Sequence, residues 1–218
     1  MPARRLRSVY QRLYRSYGGQ DWWPGETPFE IMVGAVLTQN TAWSNVERAI
    51  ANLKAERFLD PRRIARLPHG RLARLIKPSG YFNIKAKRLR NFCRWYLEQG
   101  GYDELSRCDT ETLRHGLLSV NGVGHETADD MLLYAFERPV FVIDAYTRRI
   151  FSRLGMVRGD ELYDALRLGI EHALGADTVL FNEYHALIVC HGKDICKKVP
   201  RCAGCSLKRM CRAESQKK

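Results

Sequence analysis

The sequence has no long apolar run: none approaches the roughly 18 apolar residues that a membrane-spanning helix requires. No apolar segment follows the basic residues near its start, Arg4, Arg5 and Arg7, where a secretory signal would carry one. These two absences argue against a membrane-embedded or secreted protein. We therefore expect a soluble protein of the cytoplasm.

Alternation of apolar and polar residues, the pattern of a half-buried strand, is missing as well. Internal repeats and low-complexity segments are also missing, which argues against a repeat architecture. Apolar residues instead recur at helical spacing, for example Leu6, Val9 and Leu13. The sequence therefore predicts an all-α fold, and 218 residues are enough for one domain or two small ones.

Acidic residues are comparatively scarce. The chain has 24 Asp and Glu against 36 Lys and Arg, which gives a formal net charge of +12 and a pI near 9.6. The basic residues are spread along the chain, and the excess predicts a polyanionic partner. Charge alone leaves a second interpretation open, a basic surface that only solvates the protein.

Four of the seven cysteines are concentrated near the end of the sequence, at the spacing C-x5-C-x2-C-x5-C. These four are Cys196, Cys202, Cys205 and Cys211. Thiolates this close together are typical ligands of one metal centre, either zinc or an iron–sulfur cluster. Such ligation fits a reducing compartment. We interpret the other three, Cys93, Cys108 and Cys190, as small core residues.

The stretch 109–148 contains the most informative local pattern. Asp109 is a candidate N-cap for a helix that breaks at 120–124, where Gly122 and Gly124 permit positive φ and a close backbone approach to a ligand. A second helix follows, so the turn aims free N–H groups and a positive helix N-terminus outward, which suits a phosphate. Asp144 comes directly after an apolar run, at the predicted start of a third helix.

This stretch resembles the helix–hairpin–helix of the endonuclease III superfamily of DNA glycosylases. The family pattern is a Gly-Val-Gly turn, then Thr-Ala, then Val-Asp; here 122–124, 127–128 and 143–144 fit it. The resemblance implies an all-α, two-lobed helix–hairpin–helix glycosylase fold with a C-terminal four-cysteine cluster loop. One lobe would span 20–135 and carry the hairpin, and the other would join 1–19 to 136–218.

One residue departs from the family pattern. Bifunctional members carry a lysine two positions after the second glycine, and its amine attacks the sugar; this chain has Glu126. A carboxylate cannot form the Schiff base that strand cleavage by β-elimination needs. The resemblance therefore implies a monofunctional enzyme that removes a base and leaves the backbone intact.

The cysteine array also resembles that of the family, which uses it for a [4Fe–4S] cluster. The family has six residues in the first gap, whereas this chain has five. The resemblance implies a [4Fe–4S] cluster held by the four cysteines. The shorter gap keeps zinc as the alternative.

A closer resemblance is to the 3-methyladenine DNA glycosylase III branch. Its members share Trp-Trp-Pro, Leu-Thr-Gln-Asn-Thr with an aromatic two residues later, and Pro-Ser-Gly-aromatic-aromatic-Asn followed by Lys-Ala-Lys-Arg-Leu. Here these motifs are 22–24, 37–41 with Trp43, and 78–83 followed by 85–89. The match extends to about residue 170, although the best-known members of the branch lack the cysteine array.

Two carboxylates are candidates for the chemistry. Releasing a base develops positive charge on the sugar, which a buried carboxylate stabilises. The resemblance implies that role for Asp144, whose alternative role is a plain helix N-cap. Glu126 either helps to place water or the base, or is a glutamate favoured by the dipole of the helix it begins.

The other site candidates are implied by the same resemblance. The base pocket would use Trp22, Trp23, Pro24 and Trp43. DNA binding would use Gln39, Tyr81, Gly122, Gly124 and Thr127, with Gln39 and Tyr81 filling the gap left by a flipped nucleotide. Core packing is the alternative for each tryptophan, and an ordinary helix-end glutamine and surface tyrosine are the alternatives for the two wedges.

The sequence thus predicts a monofunctional DNA glycosylase for alkylated purines, 3-methyladenine foremost. Its partner would be double-stranded DNA with a damaged base, and we expect a monomer associated with the nucleoid through DNA. One alternative is a glycosylase for mismatched, deaminated or oxidised pyrimidines. Another is a helix–hairpin–helix protein that binds DNA without catalysis.

Overall fold

The computed structural model describes residues 1–22 and 25–212, which leaves out Trp23, Pro24 and 213–218. Within these ranges the chain forms α-helices, short 3-10 turns and one π-helical segment, and no β-strand. The predicted all-α fold is confirmed. No helix in these ranges has the length and apolar character needed to cross a bilayer.

The α-helices of the described ranges are α1 (Ala3–Tyr17), α2 (Pro28–Leu37), α3 (Trp43–Ala55), α4 (Pro61–Arg66), α5 (His69–Leu75), α6 (Phe82–Glu98), α7 (Tyr102–Arg107), α8 (Thr110–Ser119), α9 (His125–Asp130), α10 (Ala145–Arg153), α11 (Tyr163–Leu174) and α12 (Thr178–Asp194).

The chain divides into two compact units. The first unit joins Met1–Trp22 to Pro139–Lys218 and contains α1 and α10 to α12. The second unit is Trp23–Arg138 and contains α2 to α9. Compactness is not independent folding, so the two predicted domains, 20–135 and 1–19 plus 136–218, stay a prediction.

Side-chain caps explain where several helices begin. Each capping oxygen accepts the backbone N–H of the third residue after it, which satisfies one of the free N–H groups of the first turn. The caps are Thr27, Asp60, Asp109, Asp144 and Asp177. Two of them, Asp109 and Asp144, were candidate caps in the sequence.

Each unit has its own apolar centre. In the first unit, Leu6, Val9 and Leu13 of α1 are fully buried, and the buried Tyr184 of α12 donates its hydroxyl to the Leu6 carbonyl at 2.9 Å. In the second unit, α2 is buried from Glu30 to its last residue, because it is apolar on all sides. The buried end of α2 therefore holds the start of the following loop in place.

Three local predictions were incomplete or wrong. The short helices α5 and α7 were not predicted, and α5 begins directly after Pro68, which stands at its N-cap position. After α9 the chain continues as a π-helical turn, Met131–Ala135, which apolar periodicity does not distinguish from an α-helix. Cys93 is buried as expected, but Cys108 and Cys190 are partly exposed.

Candidate functional site

The hairpin between α8 and α9 has one strained and one relaxed glycine. Gly122 has a φ of 104°, and a Cβ there would collide with the Arg88 side chain. Only glycine therefore fits this position. Gly124 is extended, with a φ of −97°, so this second glycine does not use the positive φ that glycine permits. A buried ion pair between Arg114 and Asp129, 2.7 Å from Nε to Oδ1, joins α8 to α9.

Gln39 is bound to the hairpin. Its Nε2 donates to the Gly122 carbonyl at 3.1 Å and to the Thr127 hydroxyl at 3.0 Å, while Arg88 donates to its Oε1. The structure thus brings together three of the residues predicted to bind DNA. These contacts hold the Gln39 side chain in one place beside the turn.

A buried lysine organises the loop that carries Gln39 and the loop that carries Tyr81. The Lys85 Nζ donates to the carbonyl of Leu37, the last residue of α2, at 2.8 Å and to the Ser79 carbonyl at 2.6 Å. Burial, together with the neighbouring Arg88 guanidinium, lowers the pKa of Lys85 to about 8. The sequence analysis did not identify this buried ammonium group.

Tyr81 lies two residues after Ser79, whose carbonyl is bound by Lys85, and it is open to solvent. It has a left-handed φ of 44°, precedes the first residue of α6 and is 70% exposed. A bulky residue in this conformation is strained unless its surroundings fix it. The Lys85 ammonium binds the carbonyl of the nearby Ser79 and so holds the turn that carries the exposed phenol.

Asp144 combines helix capping with burial. Its Oδ1 accepts the Thr147 backbone N–H at 2.7 Å, and the residue is only 7% exposed. Burial acts to raise the pKa of this carboxyl, but the His185 imidazole and the Thr147 N–H outweigh it and hold the pKa below its ordinary value. Asp144 is therefore a buried carboxyl group whose charged form is favoured by its neighbours.

His185 of α12 lies beside that carboxylate. Its Nε2 is 3.7 Å from the Asp144 Oδ2, an ion-pair distance rather than a hydrogen bond. The indole of Trp22 stacks on the same imidazole, with ring centroids 6.3 Å apart and planes 6° apart. Trp22 and Asp144, both predicted for the site, thus contact one histidine that the sequence analysis did not identify.

The remaining predicted pocket and catalytic residues have different surroundings. Glu126 is exposed in the first turn of α9. Trp43 is half-buried at the start of α3 and packs on Gly34, where a Cβ would come within 3.1 Å of its Cη2. Trp23 and Pro24 lie outside the described residues, so their predicted pocket role has no structural account.

The four clustered cysteines are neighbours at the end of the first unit. Burial raises the pKa of the Cys205 thiol, and Cys196, Cys202 and Cys211 raise it further, as sulfurs do when they lie close together. A bound cation would reverse that effect. Within residues 1–22 and 25–212, no three His, Cys, Asp or Glu side chains converge as ligands of a metal ion.

An arginine and a histidine also lie close to these sulfurs. Arg153 donates to the Cys196 Sγ at 3.2 Å, and the His191 Nε2 is 3.5 Å from the Cys205 Sγ. The other His191 nitrogen, Nδ1, contacts the Tyr17 hydroxyl at 2.8 Å, and burial lowers the pKa of His191 to about 4. The Arg153 donor suits an anionic Cys196 thiolate, so the residue types present suit a cysteine-ligated metal centre, although their side chains do not converge on one point in the described residues.

Comparison with known proteins gives a family for this arrangement. A family model described as "HhH-GPD superfamily base excision DNA repair protein" matches residues 33–173. A protein of Methanocaldococcus jannaschii named as a DNA repair glycosylase is 48% identical over 206 residues, which cover 93% of this chain and 94% of that protein.

Two solved structures are also similar. The H. pylori 3-methyladenine DNA glycosylase, bound to 1,N6-ethenoadenine, is 30% identical with a TM-score of 0.72, over 88% of this chain and 95% of that one. An endonuclease III in a non-covalent complex with DNA gives a TM-score of 0.84 over 100% of this chain and 98% of that one. Its identity of 20% supports the fold alone.

Proposed function

Because this chain belongs to the HhH-GPD superfamily of base excision DNA repair proteins, it is a DNA glycosylase, and we propose that it excises alkylated purines, 3-methyladenine foremost. We also propose that it is monofunctional, hydrolysing the N-glycosidic bond and leaving the strand intact. The observation that carries the proposal is the buried, ionised carboxylate of Asp144.

The proposed role of Asp144 follows from the charge of the transition state. As the base leaves, the sugar develops oxocarbenium character, and a carboxylate about 4 Å away stabilises it by about 4 kcal/mol at an effective dielectric of 20. The carboxylate must be ionised before the base leaves. The hydrogen bond from the Thr147 N–H to Asp144 favours that state, because it stabilises the charged carboxylate.

Glu126 supports the monofunctional part of the proposal. It stands where bifunctional relatives in the resemblance have a lysine, and its carboxylate cannot form a Schiff base with the sugar. We assign it to placing the attacking water or the base. Its exposure in the first turn of α9 leaves it accessible to a bound ligand.

Substrate choice is proposed to rest on charge. 3-Methyladenine in DNA carries a delocalised positive charge, and an electron-rich aromatic face attracts a desolvated cation by about 2 kcal/mol. Trp43 and Trp22 are the described candidates for such a face, and Trp23 and Pro24 complete the proposed pocket. The 30% identity with the 3-methyladenine DNA glycosylase of H. pylori supports this substrate class.

DNA binding is proposed to use the hairpin and the two loops that carry Gln39 and Tyr81. The hairpin residues Gly122, Gly124 and Thr127 would bind backbone phosphate, while Gln39 and Tyr81 would fill the space of the flipped nucleotide. The net charge of +12 favours this partner. We propose that a monomer binds double-stranded DNA containing the damaged base.

We propose that the four clustered cysteines hold a [4Fe–4S] cluster, with zinc as the alternative. The closeness of Cys205 to the other three cysteines and the Arg153 donor at the Cys196 sulfur support a metal centre. The centre would supply structural stability to the end of the first unit, because metal binding is coupled to folding. No step of base release is assigned to it.

The test is base release from a panel of defined duplexes, each with one lesion. We expect free 3-methyladenine and other alkylated purines, and little release of mismatched, deaminated or oxidised pyrimidines. Release of pyrimidines alone would replace the proposed substrate class. Tight DNA binding with every lesion left in place would favour the non-catalytic alternative and overturn the enzyme assignment.

A further inference from the structure

The buried histidine of α12 has a task that neither the fold nor the proposed function assigns. We propose that His185 is a positioning residue for Asp144: it keeps the carboxylate ionised and oriented, and its ring joins that carboxylate to Trp22. The inference rests on the proposed catalytic role of Asp144 and deepens it. His185 would favour the ionised form of Asp144 before the base is released.

The geometry supports a link between three side chains of the first unit. The imidazole is 6% exposed, with Nε2 3.7 Å from the Asp144 Oδ2 and one face parallel to the Trp22 indole. Because α10 and α12 pack together, the backbone fixes both ends of the histidine–aspartate contact. The stacked indole limits rotation of the imidazole, so the Nε2 stays directed at the carboxylate.

The electrostatic argument concerns what a buried carboxylate requires. Burial disfavours the charged form, and a hydrogen bond from the Thr147 N–H engages only one of the two carboxylate oxygens. His185 lies beside the second oxygen. Without it, the carboxylate would take up a proton at higher pH and lose the charge that stabilises the sugar.

Other groups around Asp144 act less directly. From α11, the Tyr163 hydroxyl accepts the Ile143 N–H at 3.2 Å, next to Asp144 in the chain. From α10 itself, Arg148 donates to the Glu161 carbonyl at 2.8 Å. Of His185, Tyr163 and Arg148, His185 is therefore the side chain that faces the second carboxylate oxygen of Asp144.

The experiment compares His185→Leu, which removes charge and donor, with His185→Gln, which keeps a neutral donor. Single-turnover release of 3-methyladenine is measured against pH. The acid limb of the leucine variant should move to higher pH, so that at about pH 5 its rate relative to wild type falls about tenfold below the same ratio at neutral pH. The glutamine variant should lie between the two. His172→Leu, an exposed histidine of α11, should match wild type.

A second readout does not need a substrate. The ¹³C carboxyl resonance of Asp144, identified by its loss in Asp144→Asn, should titrate at higher pH in His185→Leu than in wild type. An unchanged resonance, or a rate loss equal at every pH, would overturn the inference. If wild type releases no base from any duplex, the proposed function fails and the resonance alone decides the role of His185. If the leucine variant does not fold, the glutamine variant carries both readouts.

Discussion

Asp109 and Asp144 begin their helices in the same way but in opposite surroundings. Asp109 accepts the Thr112 N–H at 2.9 Å, and Asp144 accepts the Thr147 N–H at 2.7 Å. Asp109 is exposed, whereas Asp144 is buried beside the His185 imidazole. The pKa of both carboxyls lies below its ordinary value, but Thr112 is the main cause at Asp109, and His185 must overcome burial at Asp144.

The difference separates capping from chemistry. An exposed aspartate caps α8 without any burial, so capping does not require a carboxylate to leave water. Burying a carboxylate costs solvation free energy that its partners must offset. We infer that the burial of Asp144 serves a second task, the electrostatic stabilisation of the sugar cation.

The difference between Asp109 and Asp144 is tested most directly by making the same substitution at both positions. Asparagine caps helices about as well as aspartate, so both variants should fold. Asp144→Asn should lose base release by roughly 10²–10³, because one preorganised electrostatic interaction is removed. Asp109→Asn should keep near-wild-type rates. Comparable rates for both variants, with normal circular dichroism, would mean that Asp144 is only a cap.

The cysteines offer a second comparison, between one residue inside the clustered array and one outside it. Cys202→Ser should lose most bound metal and unfold at lower denaturant concentration, because ligation and folding are coupled. Cys190→Ser, outside the array and partly exposed, should retain both. Wild-type protein should be brown and contain about four irons with inorganic sulfide. A colourless protein with one zinc would replace the cluster by the alternative metal.

A substitution of Trp43 tests whether the site recognises the positive charge of the damaged base, in addition to stabilising the charge of the transition state. Trp43→Leu keeps apolar bulk on Gly34 but removes the π-face, so excision of cationic 3-methyladenine should fall roughly tenfold or more, as about 2 kcal/mol implies. A neutral lesion should be affected less. Equal losses on both would mean that Trp43 only shapes the pocket, and no loss would remove it from the site.

Lys85 extends the comparison to a buried cation and has the smallest expected effect. The pKa of Lys85 in the folded protein is about 8, below that of an unfolded lysine. The charged group therefore destabilises the folded protein at low pH, and this destabilisation decreases as the pH rises above 8. The destabilisation by Lys85→Met should therefore be greater near pH 9 than near pH 7, by about 1 kcal/mol.

Urea unfolding at the two pH values measures this difference. Lys87→Met, on the exposed side of the same helix, provides the control and should show no such pH dependence. Equal effects of Lys85→Met at both pH values would contradict the buried-ammonium account.

Much of this could be predicted because it is local. The membership in the endonuclease III superfamily and the all-α fold followed from short motifs, and the caps at Asp109 and Asp144 followed from single residues before apolar periodicity. His185 could not be predicted, because its partner is 41 positions away on another helix. The burial of Lys85 depends on carbonyls of Leu37 and Ser79 that no periodicity reveals.

The proposed function as a whole is tested most directly by counting two products from one duplex that contains a single 3-methyladenine. We expect free base to appear while the strand stays intact until alkali is added, and borohydride to trap no protein–DNA adduct, because Glu126 cannot form a Schiff base. Strand breaks without alkali, or efficient trapping of an adduct, would contradict the monofunctional assignment. No free base at all would contradict the substrate.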